Sequence, residues 1–194
     1  MPTTDGRHAR SDRTRATVAE AMLDCFEEGL LRPGAKEVAE RAGVSTRAVF
    51  RHFDNMEALL EEASGLQIER VISQLPPVTV EGTQEERIAA LVARTSQIFE
   101  LVAPVRRAAL LREPFSQSIR ERHAWMRTEI RKWVRRVFAE ELSELSEAER
   151  RDLVAGLRAL LSFSYWDELR RHERHSVSTA TRILSTAIAA GLRS

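Results

Sequence analysis

Residues 36 to 53 read KEVAERAGVSTRAVFRHF, and no other segment of the chain says as much about its structure. Its apolar residues recur three and four apart, which is the spacing of a helix with one buried face. Gly43 stands where a tight turn can end one short helix, and Ser45 stands where a side chain can cap the next one. We therefore predict helices over residues 35–42 and 46–53 that together form a helix-turn-helix.

The second helix of a helix-turn-helix enters the major groove of DNA with its amino end first. Thr46 and Arg47 occupy the first turn of this helix, on the side that the apolar pattern leaves exposed. Ser45 precedes backbone N–H groups that suit a phosphate. The motif therefore predicts that Thr46 and Arg47 point outward, towards base edges.

Outward from this motif, the helical spacing continues along the whole chain, so we predict an all-α fold of about nine helices. The first helix is expected over residues 12–28, with Ser11 as its N-cap. The fourth is expected after Asp54 or Asn55. Turn residues at 75–77 and 81–83 then predict a break in the helical pattern. We assign a DNA-binding domain to residues 1–64 and an effector-binding and dimerisation domain to residues 65–194.

The second half of the chain predicts further helices that end at prolines and capping residues. The spacing predicts a helix over residues 85–102, a short one over 105–112 between Pro104 and Pro114, and a long one over 118–142. The last two helices are expected to begin after Ser146 and Ser176 and to end near His172 and Gly191.

Composition points to a cytoplasmic protein that is not an enzyme. The 194 residues carry a net charge of +1 and a single cysteine, Cys25, which cannot form an internal disulfide. No apolar run approaches the roughly 20 residues of a membrane-spanning helix, and the amino terminus lacks the apolar segment of a signal peptide. We find no phosphate loop, nucleophile motif or cofactor motif. His172 and His175 form an HxxH pattern that could ligate a metal, but cations also favour a helix carboxyl end, and we predict no metal site.

Two quoted segments carry a resemblance to a known family. The chain reads EEGLL at 27–31 and VAERAGVSTRAVFRHFDNMEALL at 38–60. Over about residues 14–63 it resembles the TetR family of repressors, in which a helix ending in glycine precedes a pattern like IAERAGVS…YRHF. The chain departs from that pattern in having Phe50 in place of a tyrosine, Met56 in place of a lysine and Gly34 in place of a threonine.

The resemblance implies roles for eight residues. Bases would be contacted by Thr46, Arg47 and Ala48. Phosphates would be held by Lys36, Ser45, Phe50, Arg51 and His52. The alternatives are that the arginines are solvated charges, that Phe50 belongs to the core, and that His52 only caps or packs. The three departures from the family pattern are expected to weaken contacts with the DNA backbone. Arginines within residues 7–15 are expected to offset this loss by forming an arm that reaches the DNA.

The last two predicted helices favour a homodimer. The penultimate helix is apolar nearly all round, so it needs cover on two sides, and a four-helix interface with a two-fold mate supplies it. The predicted interface residues are Val154, Leu157, Leu161, Ile183, Leu184 and Ile188. The alternative is that both helices cover the core of their own chain.

The resemblance also implies an effector cavity in the second domain, for a small and largely apolar molecule. The candidate lining residues are Phe99, Phe115, Trp125, Met126, Trp133, Tyr165 and Trp166. Ordinary core packing is the alternative for each. Residues 102–136 are rich in arginine, which would serve an anionic ligand or a solvated helix face.

These observations predict a regulator that binds an inverted-repeat operator in double-stranded DNA and, as a repressor, leaves it when a small-molecule effector binds. The alternative is an all-α ligand-binding or scaffold protein that has lost tight DNA binding. Binding to duplex DNA that falls steeply with salt separates the two.

Overall fold

The computed structural model describes residues 5–75 and 80–193. Within these ranges the chain forms ten α-helices, a 3₁₀ turn and a π-helical turn, with no β-strand. The prediction of an all-α fold is confirmed. The helices are α1 Asp5–Glu27, α2 Ala35–Ala42, α3 Thr46–His52, α4 Met56–Gln74, α5 Gln84–Arg112, α6 Gln117–Val137, α7 Ala139–Ser143, α8 Glu147–Leu160, α9 Phe163–Asp167 and α10 Val177–Gly191.

The helices form two compact units. The first contains residues 1–74 and 102–120, and the second contains residues 75–101 and 121–194. Helices α5 and α6 therefore contribute residues to both units. The first unit extends past residue 64, because α4 continues to Gln74 and a later segment of the chain joins it.

The first unit is built around an apolar core shared by α1 to α4 and the segment 102–120. Helix α1 buries an apolar stripe with helical spacing, which includes Val18, Met22 and Phe26. The same cluster takes in four residues from the later segment, which are Val105, Ala108, Ala109 and Ile119. Residues 102–120 are therefore part of the core of this unit.

Polar contacts tie the same segment to the first unit. Arg112 donates to the carbonyl oxygen of Leu31 at 3.3 Å. The hydroxyl of Ser116 donates to a carboxylate oxygen of Glu57 on α4, and that of Ser118 donates to the same oxygen at 3.2 Å. Ser116 is buried and its hydroxyl also accepts from the backbone N–H of Ile119, so it caps α6.

The predicted start of the first helix and the predicted break at Pro104 are wrong. Helix α1 begins at Asp5, so Ser11 lies inside it and is not its cap. Helix α5 continues through Pro104, although proline removes one helical hydrogen bond. The buried neighbours Ala103 and Val105 explain why it continues, because their burial stabilises the helix across this position.

The long and the penultimate predicted helices are each divided. Helix α6 ends at Val137 because the fully buried Phe138 has non-helical angles of φ −112° and ψ 32°. The penultimate segment breaks after Leu160, where Ser162 caps α9 by accepting from the N–H of Tyr165. The predicted caps Ser146 and Ser176 are confirmed at the starts of α8 and α10.

The second unit has its own aromatic and aliphatic core. Phe99 meets Phe163 edge to face with ring centroids 5.7 Å apart, and Trp166 lies 6.4 Å from Phe99. The indole N–H of Trp166 donates to Glu100 at 2.8 Å. A buried tryptophan with a satisfied N–H fixes the register of α9 against α5.

One segment, Gln84–Phe115, has the length and apolar composition of a membrane-spanning helix, and 44% of its most apolar window is buried in the protein. Core helices of soluble proteins have the same two properties, so these alone assign no membrane location.

The sequence predicts two breaks after α4. Pro76 and Pro77, which belong to the first break, lie outside the described residues. Gly82 lies just before α5 with a positive φ of 100°.

Candidate DNA-binding site

Helices α2 and α3 meet at a turn that the sequence specifies residue by residue. Gly43 ends α2 in the left-handed conformation, with φ 65° and ψ 30°. The N–H of Val44 then bonds to the carbonyl of Ala39 at 3.0 Å, and Ser45 caps α3 by accepting from the N–H of Ala48 at 3.2 Å. With Val49 buried on the inner side of α3, the predicted helix-turn-helix is confirmed.

The turn depends on the glycine, so Gly43→Ala is expected to lower the free energy of unfolding by about 1–2 kcal/mol, because an L-residue is strained at positive φ. A Cβ at this position would meet no atom within 4 Å, so backbone strain is the whole effect. Gly43→Asn is the matched control and should lose less, since asparagine tolerates this conformation. Equal losses in chemical denaturation of the two variants would contradict this reading.

The outer face of α3, which we define as Thr46, Arg47, Phe50 and Arg51, is exposed. Thr46 and Arg47 point outward together, as the motif requires. Neither Arg47 nor Arg51 forms an ion pair with any residue in the part of the chain that the structure describes. Two uncommitted guanidinium groups on one short helix can donate to bases or phosphates without first breaking an internal contact.

The remaining predicted contact residues border this face. Lys36 is exposed at the start of α2, and its only ion pair among the described residues is a loose one with Glu40 at 3.9 Å. Ser45 is exposed, and its hydroxyl is used as the cap. Ala48 and His52 are half-buried. The structure therefore brings the eight predicted residues to α3 and the start of α2.

Phe50 and His52 each have a purely structural alternative, which is core packing for Phe50 and capping or packing for His52. The ring of Phe50 is 49% exposed, so it is not a core residue. The ring of His52 is half-buried, and its Nε2 atom is buried with no hydrogen-bond partner among the described residues. Met56, at the head of α4, is half-buried against the apolar core of the first unit.

Two arginines hold the motif against α1 through ion pairs that the sequence did not predict. Arg15 forms a bidentate pair with Glu62, with nitrogen–oxygen distances of 3.1 and 2.9 Å, and the hydrogen bond from Arg15 lowers the pKa of that carboxyl. Arg41 on α2 pairs with Glu28 and also donates to the sulfur of Cys25 at 3.1 Å. Such pairs join residues far apart in sequence, so no local pattern predicts them.

Cys25 lies in the core. Burial raises the pKa of its thiol, so the thiolate form is disfavoured.

The predicted DNA-binding arm within residues 7–15 forms part of helix α1. Arg13 and Arg15 lie on α1, where Arg13 donates to the carbonyl of Ala9 on its own helix; the side chain of Arg7 lies outside the described part.

A helical core that presents a capped, exposed and cationic second helix defines a DNA-binding protein of the helix-turn-helix class. Residues 24–63 match the family model for bacterial regulatory proteins of the tetR family. The chain therefore carries an N-terminal domain of the tetR type. No curated protein matches the sequence.

Two solved structures share the fold over nearly the full length. A transcriptional regulator from Rhodococcus sp. Rha1 is similar with a TM-score of 0.71 and 22% identity, covering 92% of this chain and 96% of that one. A candidate transcriptional regulator from Pseudomonas aeruginosa PAO1 is similar with a TM-score of 0.70 and 17% identity, covering 94% and 91%. At these identities the likeness shows the fold alone.

The residues predicted to line an effector cavity differ in burial and in the unit to which they belong. Phe99 and Trp166 are buried in the second unit, and Trp133 lies under Arg94 with 5.4 Å from guanidinium carbon to ring centroid. Met126 and Tyr165 are half-buried. Trp125 is 56% exposed, and Phe115 is 85% exposed and belongs to the first unit.

A surface cleft of about 350 Å³ lies in the second unit. Its lining is polar and includes none of the predicted effector residues; it consists of Gly82, Thr83, Gln84, Arg87, Glu140, Glu141 and Glu144. Arg87 is buried and pairs with Glu141, which joins the start of α5 to α7. We read this pair as a structural contact.

Most of the predicted interface residues are already buried within the single chain. These are Val154, Leu157, Leu161, Leu184 and Ile188. Ile183 is half-buried. The apolar residues that α8 and α10 leave half-buried include Leu153, Leu160, Ile183, Ala187 and Ala189.

Proposed function

We propose that the chain is a cytoplasmic, homodimeric repressor that binds an inverted-repeat operator and releases it when a small, largely apolar effector binds its second domain. The proposal divides the roles between residues 1–64, which bind DNA, and 65–194, which bind the effector and the second subunit. The observation that carries it is the outer face of α3, where Thr46 and Arg47 are exposed and Arg47 has no ion-pair partner in the described chain.

We assign readout and anchoring to different residues. Thr46, Arg47 and Ala48 would contact bases, and Arg47 has the donor geometry for the O6 and N7 atoms of guanine. Lys36, Ser45, Phe50, Arg51 and His52 would contact the backbone. Phe50 has no hydroxyl, so its contribution would be an apolar contact with sugars.

A dimer follows from the geometry that DNA imposes. Two recognition helices must lie about 34–36 Å apart to enter successive major-groove faces. Apolar positions on α8 and α10, including Leu160, Ile183 and Ala187, are partly accessible in the single chain. A second copy would bury them, and this supports an interface through these two helices.

Effector control would act through the two helices that both units share. Helices α5 and α6 reach the second unit, and their other ends supply Val105 and Ile119 to the core of the first. An effector that binds one arrangement of α5 and α6 better than another would shift the population of DNA-bound protein. The aromatic residues of the second unit, such as Phe99 and Trp133, support an apolar ligand.

Arg47→Ala is expected to reduce affinity for the preferred operator by about five- to 150-fold, the range of one bidentate base contact, and to relax the preference at one base pair per half-site. The operator is first obtained by selecting random duplexes with the wild-type protein. Lys36→Ala should weaken all duplexes about equally, because a phosphate contact carries no sequence information. Arg193→Ala removes an exposed cation elsewhere on the chain and is the charge-matched control.

The selection separates this proposal from the alternative, an all-α ligand-binding or scaffold protein that no longer grips DNA. A regulator recovers an inverted repeat, and its affinity falls steeply as salt is raised. Recovery of no common sequence, or equal losses in the Arg47 and Arg193 variants, would contradict the proposal.

A further inference from the structure

Arg15 joins three parts of the first unit through a single guanidinium group. It forms a bidentate pair with Glu62 on α4, at 3.1 and 2.9 Å. Its remaining nitrogen donates to the backbone carbonyl of His52 at 2.7 Å. Its guanidinium carbon lies 4.5 Å from the ring centroid of Phe53. Two of these contacts are with the carboxyl end of α3.

The position of the contacts on α3 matters because the helix is short. Helix α3 has seven residues, so it is about 10 Å long at 1.5 Å per residue. Its amino end, with Thr46 and Arg47, is set by the turn at Gly43 and Ser45. Its carboxyl end is followed by Phe53, which is buried, and is held there by Arg15. Fixing both ends fixes the direction in which the outer face of α3 points.

A second ion pair between the same two helices offers a direct comparison. Arg70 on α4 pairs with Glu20 on α1 at 3.0 Å, and both side chains are about half exposed, as are those of Arg15 and Glu62. The Arg70 pair joins α1 to α4, and the contacts described for it do not include α3. Any effect that comes only from linking α1 to α4 should therefore appear in both pairs.

We propose that Arg15 is a positioning residue for sequence recognition, which clamps the carboxyl end of α3 to α1 and α4 so that Thr46 and Arg47 meet their base edges. This inference rests on the proposed DNA-binding function and adds a residue to it outside the helix-turn-helix. Hydrogen-bond readout tolerates misplacement of only about 0.5 Å. Loss of the clamp therefore lowers the affinity for the preferred sequence far more than the affinity for DNA in general.

The experiment compares Arg15→Met, Arg15→Lys, Glu62→Gln and Arg70→Met in the full chain. Each is titrated against the operator selected with wild-type protein and against a scrambled duplex of equal length, at several salt concentrations. Thermal unfolding of each variant is recorded separately. Arg15→Lys keeps the charge but loses the bidentate fork. Glu62→Gln removes an acidic charge, so electrostatics alone would strengthen binding to both duplexes.

We expect Arg15→Met and Arg15→Lys to reduce the ratio of operator to scrambled affinity by about tenfold or more, the order of one bidentate base contact. Glu62→Gln should reduce the same ratio, although the loss of an acidic charge would by itself strengthen binding to both duplexes. Arg70→Met should leave the ratio unchanged. The slope of log affinity against log salt should stay the same in all four variants, because no phosphate contact is lost.

Three results would overturn the clamp. If Arg15→Met lowers both affinities equally and reduces the salt slope by about 0.9, Arg15 contacts a phosphate. If Arg15→Lys restores the wild-type ratio, charge alone matters. If Arg70→Met changes the ratio as much as Arg15→Met does, the effect is one of general stability. Failure of the wild-type protein to select any sequence would contradict the proposed function and is distinguishable from all three.

Discussion

Phe26→Ala is expected to lower the free energy of unfolding by about 3–5 kcal/mol, the usual loss when a buried aromatic side chain is truncated in a core. Phe26 is 1% exposed on α1 and belongs to the apolar cluster that also contains Val38 and Leu59. The cavity left behind would separate α1 from the helix-turn-helix and from α4. Because a domain's whole stability is only about 5–15 kcal/mol, DNA binding should be largely lost at 37 °C.

Phe50→Ala is the matched control, since it makes the same substitution on a ring that is 49% exposed. A surface substitution away from special backbone features usually changes stability by no more than about 0.5 kcal/mol. Denaturant titrations of the two variants should therefore differ several-fold in their stability loss. Similar losses would mean that the two rings are not buried as the structure has them.

A fragment of residues 1–74 is expected to lack a cooperative unfolding transition, although it contains all four helices of the predicted DNA-binding domain. The core of this unit includes four buried residues from the segment 102–120, namely Val105, Ala108, Ala109 and Ile119. Without them the fragment would expose apolar surface on α1 and α4 to water. It would also leave the carboxylate of Glu57 without the hydroxyls of Ser116 and Ser118.

Circular dichroism during thermal unfolding checks this expectation. A fragment of residues 1–120 restores every member of the cluster and should regain a sigmoidal transition and helical signal. If residues 1–74 alone unfold cooperatively and bind the selected operator as tightly as the full chain, segment 102–120 is dispensable. That result would place the boundary of the DNA-binding unit at the end of α4.

The helix-turn-helix could be predicted because its determinants are local. A glycine at the only position of the turn with positive φ, a serine at the next helix start and an apolar residue facing inward all act over a few residues. Gly43, Ser45 and Val49 each have the predicted role. The outward direction of Thr46 and Arg47 follows from the same spacing, so the central part of the candidate site was accessible from sequence.

The rest depends on contacts between distant segments. Arg15 and Glu62 are 47 positions apart, and their pair has no signature in either local sequence. Pro104 normally ends a helix, but burial of its neighbours outweighs the lost hydrogen bond. The membership of residues 102–120 in the first unit could not be read from periodicity either, since an apolar stripe does not say which partner covers it.

The effector site could not be predicted from local sequence either. The predicted effector residues were grouped by resemblance, yet Phe99 and Trp166 pack together, Trp125 is exposed, and Phe115 is exposed and belongs to the first unit. Helical spacing predicts that a side chain faces inward. It does not distinguish a packed core from the wall of a ligand cavity, because both are apolar.

Guanine methylation interference on the selected operator would show whether Arg47 reads a base in the major groove. Methylation at N7 blocks the edge that an arginine would contact. With the selected operator, the wild-type protein should be blocked by at least one methylated guanine in each half-site, and Arg47→Ala should be insensitive to that guanine while keeping its other interference positions. Identical interference patterns for the two proteins would mean that Arg47 contacts no guanine in the major groove.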